Sequence, residues 1–185
     1  MLIGICGKSG SGKSTLAKEL INIHGDKIIH CDIDKIGHAA LLEEEAKNKL
    51  VNAFGYSILK NNIIDRKELG KIVFNSEKEM KKLTEITWGY MQQELDKIIK
   101  DNKDKIIILD WLLLPKSKYF DNCDIKVLLD IPYETRKERA ILRDNISESA
   151  FELREKASYN YDKNKFTLIL QSNNKEEYQK VVKLI

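Results

Sequence analysis

The distribution of apolar residues predicts buried β-strands that alternate with helical segments. Continuous apolar runs without a polar alternation are typical of strands in a parallel sheet that is covered on both faces. Between these runs, apolar residues recur at helical spacing. The alternation predicts an α/β fold, in which helices lie on both faces of a parallel sheet. The predicted strands cover residues 2–6, 27–31, 106–110, 125–130 and 166–170, and a last helix covers residues 176–184.

The second and third predicted strands are separated by a segment that is too long for a plain crossover. This segment, about residues 35–100, is polar, and its apolar residues keep a helical period that continues from Ala39 to Leu50. Asp65 and Ser76 each precede a helical stretch, where N-cap residues are favoured. We therefore predict a helical insertion that covers a substrate site.

Residues 7–14 read GKSGSGKS and fit the phosphate-binding P-loop pattern G-x-x-x-x-G-K-[ST]. Its glycines let successive backbone N–H groups point into one concavity that holds a triphosphate. Lys13 adds a charge for the β- and γ-phosphates, and Ser14 offers a hydroxyl to Mg²⁺. A strand precedes the motif and a helix follows it, as the motif requires. The predicted nucleotide-binding residues are Gly7, Ser9, Gly10, Ser11, Gly12, Lys13, Ser14 and Thr15.

Two carboxylates follow predicted strands and should meet the P-loop in one cleft, because ligands of such sheets bind beyond the carboxyl ends of the strands. Asp34 stands where it could orient an acceptor hydroxyl and take its proton. An N-cap role is the alternative for Asp34, although Asp32 could be that cap. Asp110 stands where a Walker-B carboxylate holds Mg²⁺ through water; the alternative is a polar residue that only ends the strand.

Four of the five arginines fall in one short stretch, whereas lysine is the usual basic residue in the rest of the chain. Arg136, Arg139 and Arg143 are spaced to share one helix face, and a polar break and a second helical stretch follow. Clustered guanidinium groups suggest bidentate binding of anions. We therefore predict a lid whose arginines close on the phosphates, with Arg139 and Arg143 as the main contacts.

Size and composition restrict the remaining possibilities. A chain of 185 residues predicts one domain with an inserted subdomain, and its net charge of +3 does not by itself imply a nucleic-acid or membrane partner. The P-loop occupies the place of a signal peptide, and no apolar run approaches the ~18 residues that span a membrane. Cys6, Cys31 and Cys123 are widely spaced, which predicts reduced, buried thiols and a cytoplasmic protein.

Four segments that extend over nearly the whole chain carry further motifs. They are GICGKSGSGKST at residues 4–15, the D-x-D-x-I-x-[RH] match at residues 32–38, the D-R-x-x-L…V-F match that ends at Phe74, and the R-x-x-x-R-D match at residues 139–144. With these motifs the chain resembles the dephospho-coenzyme A kinases, the last enzymes of coenzyme A synthesis. The P-loop is shared by many families, so the second and third segments make the resemblance specific.

The resemblance implies five parallel strands with a helical acceptor-binding part and a lid. It implies transfer of the γ-phosphate of ATP to the ribose 3′-hydroxyl of dephospho-coenzyme A, with Mg²⁺ as the metal expected at the P-loop serine. The expected partners are these small molecules, and the oligomeric state stays open. One kinase domain would then span residues 1–185, with a core at residues 1–34, 101–135 and 159–185, an acceptor-binding part at about 35–100 and a lid at about 136–158.

The resemblance and the residue patterns together predict a role for each site residue. Asp34 would meet the acceptor hydroxyl, residues 10–15 would hold ATP, and Arg143 would be a lid arginine. The predicted catalytic residues are Asp34, Lys13 and Arg143, and Arg139 and Arg143 are predicted to bind ATP together with the P-loop residues. The predicted acceptor-binding residues are Asp34, Asp110 and Trp111. Ser14 and Asp110 are predicted to hold Mg²⁺, the latter through water.

The chain departs from the family pattern on the acceptor and adenine sides. The family usually has D-x-P-L-L-F-E after the third strand, whereas here Asp110 is followed by Trp-Leu-Leu-Leu-Pro. Trp88-Gly89 replaces a frequent His-Pro pair, and residues 171–174 read QSNN in place of a D-N-x-G turn. A P-loop kinase of another small acceptor, such as a nucleoside or nucleotide, is therefore the first alternative. A non-enzymatic ATP-binding regulatory module is the second, although a pure binder needs neither Asp34 nor lid arginines.

Overall fold

The computed structural model describes residues 1–73, 76–156 and 158–185, so Phe74 of the D-R-x-x-L…V-F segment lies outside the described residues. The strands are β1 (Leu2–Cys6), β2 (Ile28–Asp32), β3 (Leu59–Lys60), β4 (Ile63–Ile64), β5 (Ile106–Asp110), β6 (Ile125–Leu129) and β7 (Leu168–Leu170). The helices are α1 (Lys13–His24), α2 (Ile33–Ala40), α3 (Glu44–Phe54), α4 (Arg66–Val73), α5 (Glu77–Asp101), α6 (Lys118–Asp121), α7 (Tyr133–Asp144), α8 (Glu148–Lys156) and α9 (Lys175–Val182).

The described residues form two compact units. The sheet unit contains Met1–Asp32 and Asn102–Ile185, and the helical unit contains Ile33–Asp101. The helical unit thus interrupts the sheet unit in sequence, between β2 and β5. The functional division into core, acceptor-binding part and lid stays a prediction.

A parallel sheet forms the centre of the sheet unit. Its strand order is β2-β5-β1-β6-β7, and every neighbouring pair runs parallel. Because the strands are parallel, their carboxyl ends share one edge: Asp32 is the register partner of Asp110, and Cys6 is that of Leu128. The P-loop that follows Cys6 therefore begins at the same edge as both carboxylates.

Packing of the sheet explains why its strands read as continuous apolar runs. Ile3, Ile5 and Val127 are fully buried in one cluster with residues of α1 and α9. Helix α1 contributes Leu16, Ala17 and Leu20 at helical spacing, and α9 contributes Tyr178 and Val181. Burial of each such side chain stabilises the fold by about 1.5–3 kcal/mol. This packing holds the strand ends, and hence the P-loop, in place.

The helical unit has its own apolar core. Leu50, Ile58, Ile64, Leu69 and Val73 pack together from α3, α4 and the segment between them. As predicted, Asp65 accepts hydrogen bonds from backbone N–H groups at the start of α4, and Ser76 accepts one from Glu79 at 3.3 Å. No helix of the described residues is long and apolar enough to cross a membrane.

Most predicted elements are confirmed, and the exceptions have local causes. The five predicted strands are present, but the helical period from Ala39 to Leu50 is broken between α2 and α3. There, the N–H groups of Leu41 and Leu42 donate to carbonyls three residues back, which tightens and ends the helix. The predicted start of β7 at Phe166 was wrong, because its N–H donates to Lys163 in a turn.

The β3–β4 hairpin was not predicted. Its two strands pair antiparallel, with Leu59 opposite Ile64 and Lys60 opposite Ile63. Asn61 and Asn62, between them, have φ values of +53° and +62°. Positive φ at both central residues is the requirement of a type I′ hairpin turn, and asparagine tolerates it.

Candidate active site

The P-loop glycines have both special backbone angles and close neighbours. Gly10 has a φ of +78°, and a Cβ there would lie 2.1 Å from the backbone oxygen of Arg136 on α7. Gly12 has a φ of +89°, and a Cβ there would lie 2.6 Å from the Asn173 side chain. Left-handed backbone and lack of space both exclude other residues. The loop is therefore shaped from outside by α7 and by the segment after β7.

Two P-loop side chains are held by defined partners. The Lys13 ammonium group donates to the Gly7 carbonyl oxygen at 3.0 Å, so its charge lies over the loop. The Ser14 hydroxyl donates to Asp110 Oδ2 at 2.8 Å. Both residues begin α1, whose positive dipole end favours an anion. Lys13, Ser14 and Asp110 are therefore assembled at the loop, as the motif predicts.

The Asp110 carboxylate is buried and has a second partner. Asp110 is 3% exposed, and its Oδ2 lies 3.3 Å from Nε2 of His30 on β2. Oxygen ligands suit Mg²⁺, which usually keeps waters and binds one or two carboxylates together with substrate phosphates. The Ser14–Asp110 oxygen pair fits that requirement. Within the described residues, no group of three or more acidic, histidine or cysteine side chains forms a complete metal site, so water or phosphate would supply the remaining ligands.

The first P-loop amide is held by a residue that sequence reasoning missed. The Tyr161 hydroxyl accepts a hydrogen bond from the Gly7 N–H at 3.1 Å and donates to the Leu112 carbonyl at 2.9 Å. Burial raises the pKa of Tyr161 well above its usual range, so the phenol stays protonated. Tyr161 thus joins the P-loop to the segment that follows β5. No spacing in the sequence links it to the motif.

Arg136 is not exposed as the predicted shared arginine face would require. It is 5% exposed, and its guanidinium group donates to both oxygens of Glu155 on α8, at 2.8 and 3.0 Å. Lys8 of the P-loop donates to the same carboxylate at 2.8 Å. These partners, Arg136 first, lower the pKa of Glu155. Arg136 therefore serves the packing of α7 and α8 against the P-loop.

Arg139 contacts the segment after β7. Its guanidinium group donates to the Asn173 side-chain oxygen, and the Asn173 amide donates to the Ser11 carbonyl at 2.9 Å. Ser11 is fully buried, and its backbone N–H donates to the Lys8 carbonyl at 3.1 Å. Asn173 thus connects a predicted lid arginine with the P-loop backbone.

Arg143 is exposed and is held by its chain neighbour. Its guanidinium group donates to the two oxygens of Asp144 at 2.7 and 2.9 Å, and Arg154 donates to Asp144 at 2.5 Å. The hydrogen bonds from Arg143, followed by those from Arg154, lower the pKa of Asp144 to about 2. The Arg143 fork is therefore charged and preformed for a bidentate anion.

The residues predicted on the acceptor side occupy separate places in the chain. Asp34 lies in the first turn of α2 in the helical unit and is exposed. Asp32 ends β2 directly before that helix, as an N-cap residue would. Trp111 follows β5, and its N–H donates to the Ile5 carbonyl at 3.2 Å. Ser9 and Thr15 lie in the P-loop as predicted, Thr15 being exposed on α1.

The parallel sheet, the P-loop after its central strand and the serine–aspartate pair at the loop define a P-loop kinase. The family model for dephospho-CoA kinase matches residues 1–177. The chain is 38% identical over 159 residues to the dephospho-CoA kinase of Aquifex aeolicus, which covers 82% of this chain and 77% of that protein. The chain therefore belongs to the dephospho-CoA kinase family. This confirms the predicted kinase function, phosphorylation of dephospho-coenzyme A in coenzyme A biosynthesis.

Two solved structures are similar to the whole fold. Dephospho-CoA kinase from Campylobacter jejuni has 25% sequence identity and a TM-score of 0.61, and the match covers 98% of this chain and 95% of that one. The protein TT1252 from Thermus thermophilus has 23% identity and a TM-score of 0.82, with coverage of 100% and 95%. The second likeness concerns the fold alone. Both confirm the predicted fold class.

Proposed function

We propose that this chain transfers the γ-phosphate of ATP to the ribose 3′-hydroxyl of dephospho-coenzyme A, with Mg²⁺ at the P-loop. The observation that carries the proposal is the hydrogen bond of 2.8 Å between Ser14 and Asp110. It joins the P-loop to the end of β5 and forms an oxygen pair where a nucleotide-bound cation is needed. A loop that bound only a phosphate anion would not require this buried carboxylate.

The P-loop would hold the phosphates through its backbone N–H groups and the start of α1. Lys13 now donates to the Gly7 carbonyl at 3.0 Å, and it would turn from there to the β- and γ-phosphates. Its positive charge would stabilise the negative charge that develops on the migrating group. The Tyr161 hydroxyl accepts the Gly7 N–H and so keeps that amide in place.

Ser14 and Asp110 would hold Mg²⁺, Ser14 directly and Asp110 through water. The bound ion would neutralise charge on the β- and γ-phosphate oxygens. His30 and Ser14 both contact Oδ2 of the Asp110 carboxylate, at 3.3 and 2.8 Å. These contacts would keep its oxygens oriented before the nucleotide binds.

Asp34 would position the acceptor hydroxyl and accept its proton. The transition state of phosphoryl transfer is loose, so positioning contributes more than proton removal. An exposed carboxylate in the first turn of a helix is accessible to a second substrate and offers oxygens that can accept a proton. The helical unit would therefore contribute Asp34 to acceptor binding, and we expect Asp110 at the end of β5 and Trp111 directly after it to contact the acceptor as well.

Arg139 and Arg143 would contact the phosphates from the lid formed by α7 and α8. Arg143 already presents a fork to a carboxylate, and a phosphate offers the same pair of oxygens. Exchange of Asp144 for a phosphate would carry the guanidinium group to the nucleotide.

The three cysteines are free thiols, which supports a location in the reducing cytoplasm.

The test is an assay of ADP release with a panel of acceptors. We expect turnover with ATP and dephospho-coenzyme A, and far less with nucleosides or nucleotides. Coenzyme A is the matched control, because its 3′-hydroxyl is already phosphorylated and cannot accept the group. Faster turnover with a nucleoside, or equal ADP release with coenzyme A, would contradict the proposed acceptor.

A further inference from the structure

One carboxylate joins the P-loop to both helices of the predicted lid. Glu155 of α8 accepts from Lys8 of the P-loop at 2.8 Å and, through both oxygens, from Arg136 of α7. Arg136 also donates to the Ile131 carbonyl at 2.9 Å and to the Ser9 carbonyl at 3.4 Å. The network thus reaches the P-loop twice, at the side chain of Lys8 and at the backbone of Ser9.

Burial makes this network costly to break. The side chains of Arg136, Glu155 and Lys8 are 6%, 20% and 25% exposed. A buried charge that loses its partner is strongly unfavourable, whereas a complete network holds its members in one geometry. Lys8 belongs to the phosphate-binding loop, yet its ammonium group donates to Glu155 of α8. The position of that loop therefore depends on α8.

A second ion pair between α7 and α8 provides a comparison. Lys137 donates to Glu148, whose side chain is 60% exposed. That pair joins the same two helices at the surface, and within the described residues it forms no hydrogen bond or ion pair with the P-loop, so the helices do not need Glu155 merely to be connected. The distinctive feature of Glu155 is its contact with Lys8.

We propose that Glu155 is a positioning residue for the nucleotide site, which holds the P-loop in its phosphate-binding geometry through Lys8 and Arg136. The inference rests on the proposed binding of ATP at the P-loop. A preformed loop binds its ligand without a further ordering cost. Loss of the Lys8–Glu155 contact would therefore weaken nucleotide binding, while the chemical step would change little once ATP is bound.

The test is a double-mutant cycle with Lys8→Met and Glu155→Gln. ATP Kd is measured by calorimetry, and kcat and KM for ATP are measured with saturating dephospho-coenzyme A. We expect each single variant to weaken ATP binding by about tenfold, the scale of one charged hydrogen bond, with kcat changed less than about twofold. The double variant should bind ATP no more weakly than the weaker single variant, because each single variant already removes the Lys8–Glu155 contact.

Two controls separate positioning from folding. Lys8→Met leaves the Arg136–Glu155 pair intact, so this variant should stay folded even if Glu155→Gln does not. Glu148→Gln breaks the other contact between α7 and α8 and should leave ATP Kd unchanged.

Three results would overturn the inference. Fold-changes that multiply in the double variant would mean that Lys8 contacts the nucleotide itself. An unchanged ATP Kd in folded Lys8→Met would reduce the network to a stabilising contact, and a weaker ATP Kd in Glu148→Gln would mean that any α7–α8 contact suffices. Failure of the proposed function would give a different result, because the unmodified chain would then bind ATP without turnover of dephospho-coenzyme A.

Discussion

The P-loop region and the first turn of α2 differ in the exposure of the carboxylate that each contributes, because Asp110 is buried and Asp34 is exposed. Around the P-loop, the side chains of Lys13, Ser14 and Asp110 each have a protein partner within 3.3 Å. In the helical unit, Asp34 projects from the first turn of α2 as an exposed carboxylate. The first region thus places a buried carboxylate within a network of contacts, and the second region places a carboxylate at the surface.

This difference separates two kinds of function. A preorganised network suits a ligand whose charge is fixed and always the same, such as a triphosphate. An exposed carboxylate suits a group that must meet a second substrate and exchange a proton with it. A change at Lys13, Ser14 or Asp110 should therefore alter nucleotide binding and turnover together, whereas a change at Asp34 should alter turnover alone.

Lys13→Ala should have the largest effect. Removal of a charge from the developing phosphate negativity is expected to lower kcat by about 10²–10³-fold, and ATP binding should weaken as well. The fold should remain, because the lost hydrogen bond to Gly7 is partly exposed. Turnover and ATP Kd are measured beside the melting temperature, and near-normal turnover in the folded variant would refute the P-loop assignment.

Asp34→Asn should lower kcat by about 10²-fold or more while ATP Kd changes little. The amide keeps the size of the side chain and some hydrogen bonding but cannot accept the proton. The measurement is kcat with dephospho-coenzyme A together with ATP Kd by calorimetry.

Asp32→Asn is the control for that variant, because Asp32 ends β2 beside Asp110 and should act structurally. An inactive Asp32→Asn beside an active Asp34→Asn would exchange the two roles. Weak ATP binding in both variants would assign the two acids to the nucleotide and metal, and would remove the contrast between the regions.

Arg143→Lys should be nearly as damaging as Arg143→Ala, with each lowering kcat by about tenfold or more. The guanidinium group donates from two nitrogens to Asp144, and an ammonium group cannot reproduce this fork. Full activity of the lysine variant beside an inactive alanine variant would show that charge alone is needed. The comparison uses steady-state kinetics at saturating ATP.

Asp144→Asn should have the smallest effect and a defined pH dependence. The pKa of Asp144 falls from its ordinary value of 3.8 to about 2, so its stabilising effect is complete above the unfolded pKa and is lost as pH falls towards 2. Both arginine partners are largely exposed, so screening limits the contribution at neutral pH to under about 1 kcal/mol. Urea denaturation between pH 2 and 7 should show the two proteins converging at the acid end. A difference in the free energy of unfolding between the two proteins that grows as the pH falls would contradict a stabilising ion pair at Asp144.

The predictable parts of the molecule depend on local pattern. The strands, the P-loop and the N-cap roles of Asp65 and Ser76 follow from residues within a few positions of each other. The Ser14–Asp110 contact was also predictable, although 96 residues separate the two, because parallel strands bring their carboxyl ends to one edge.

The missed contacts join distant residues that no rule of topology pairs. Tyr161 lies 154 positions from Gly7, and Glu155 lies 147 positions from Lys8. Each belongs to a stretch without a motif. The contact of α8 with α7 brings Glu155 to the P-loop, and Tyr161 lies in the segment that follows α8. The same packing buried Arg136, which helical spacing alone had grouped with two exposed arginines.

Helix α7 is anchored in a buried network near its start, whereas Arg139 and Arg143 further along it are exposed. Arg136 lies near its start in the buried network, and Arg143 lies about 10 Å further along at the helical rise of 1.5 Å per residue. A tilt of about 10° about Arg136 would move the backbone at Arg143 by about 2 Å and that at Arg139 by less than half as much. Arg139, which would move less, is thus suited to holding a bound ligand in place. Arg143, which would move more, is suited to making contact with a ligand as it binds.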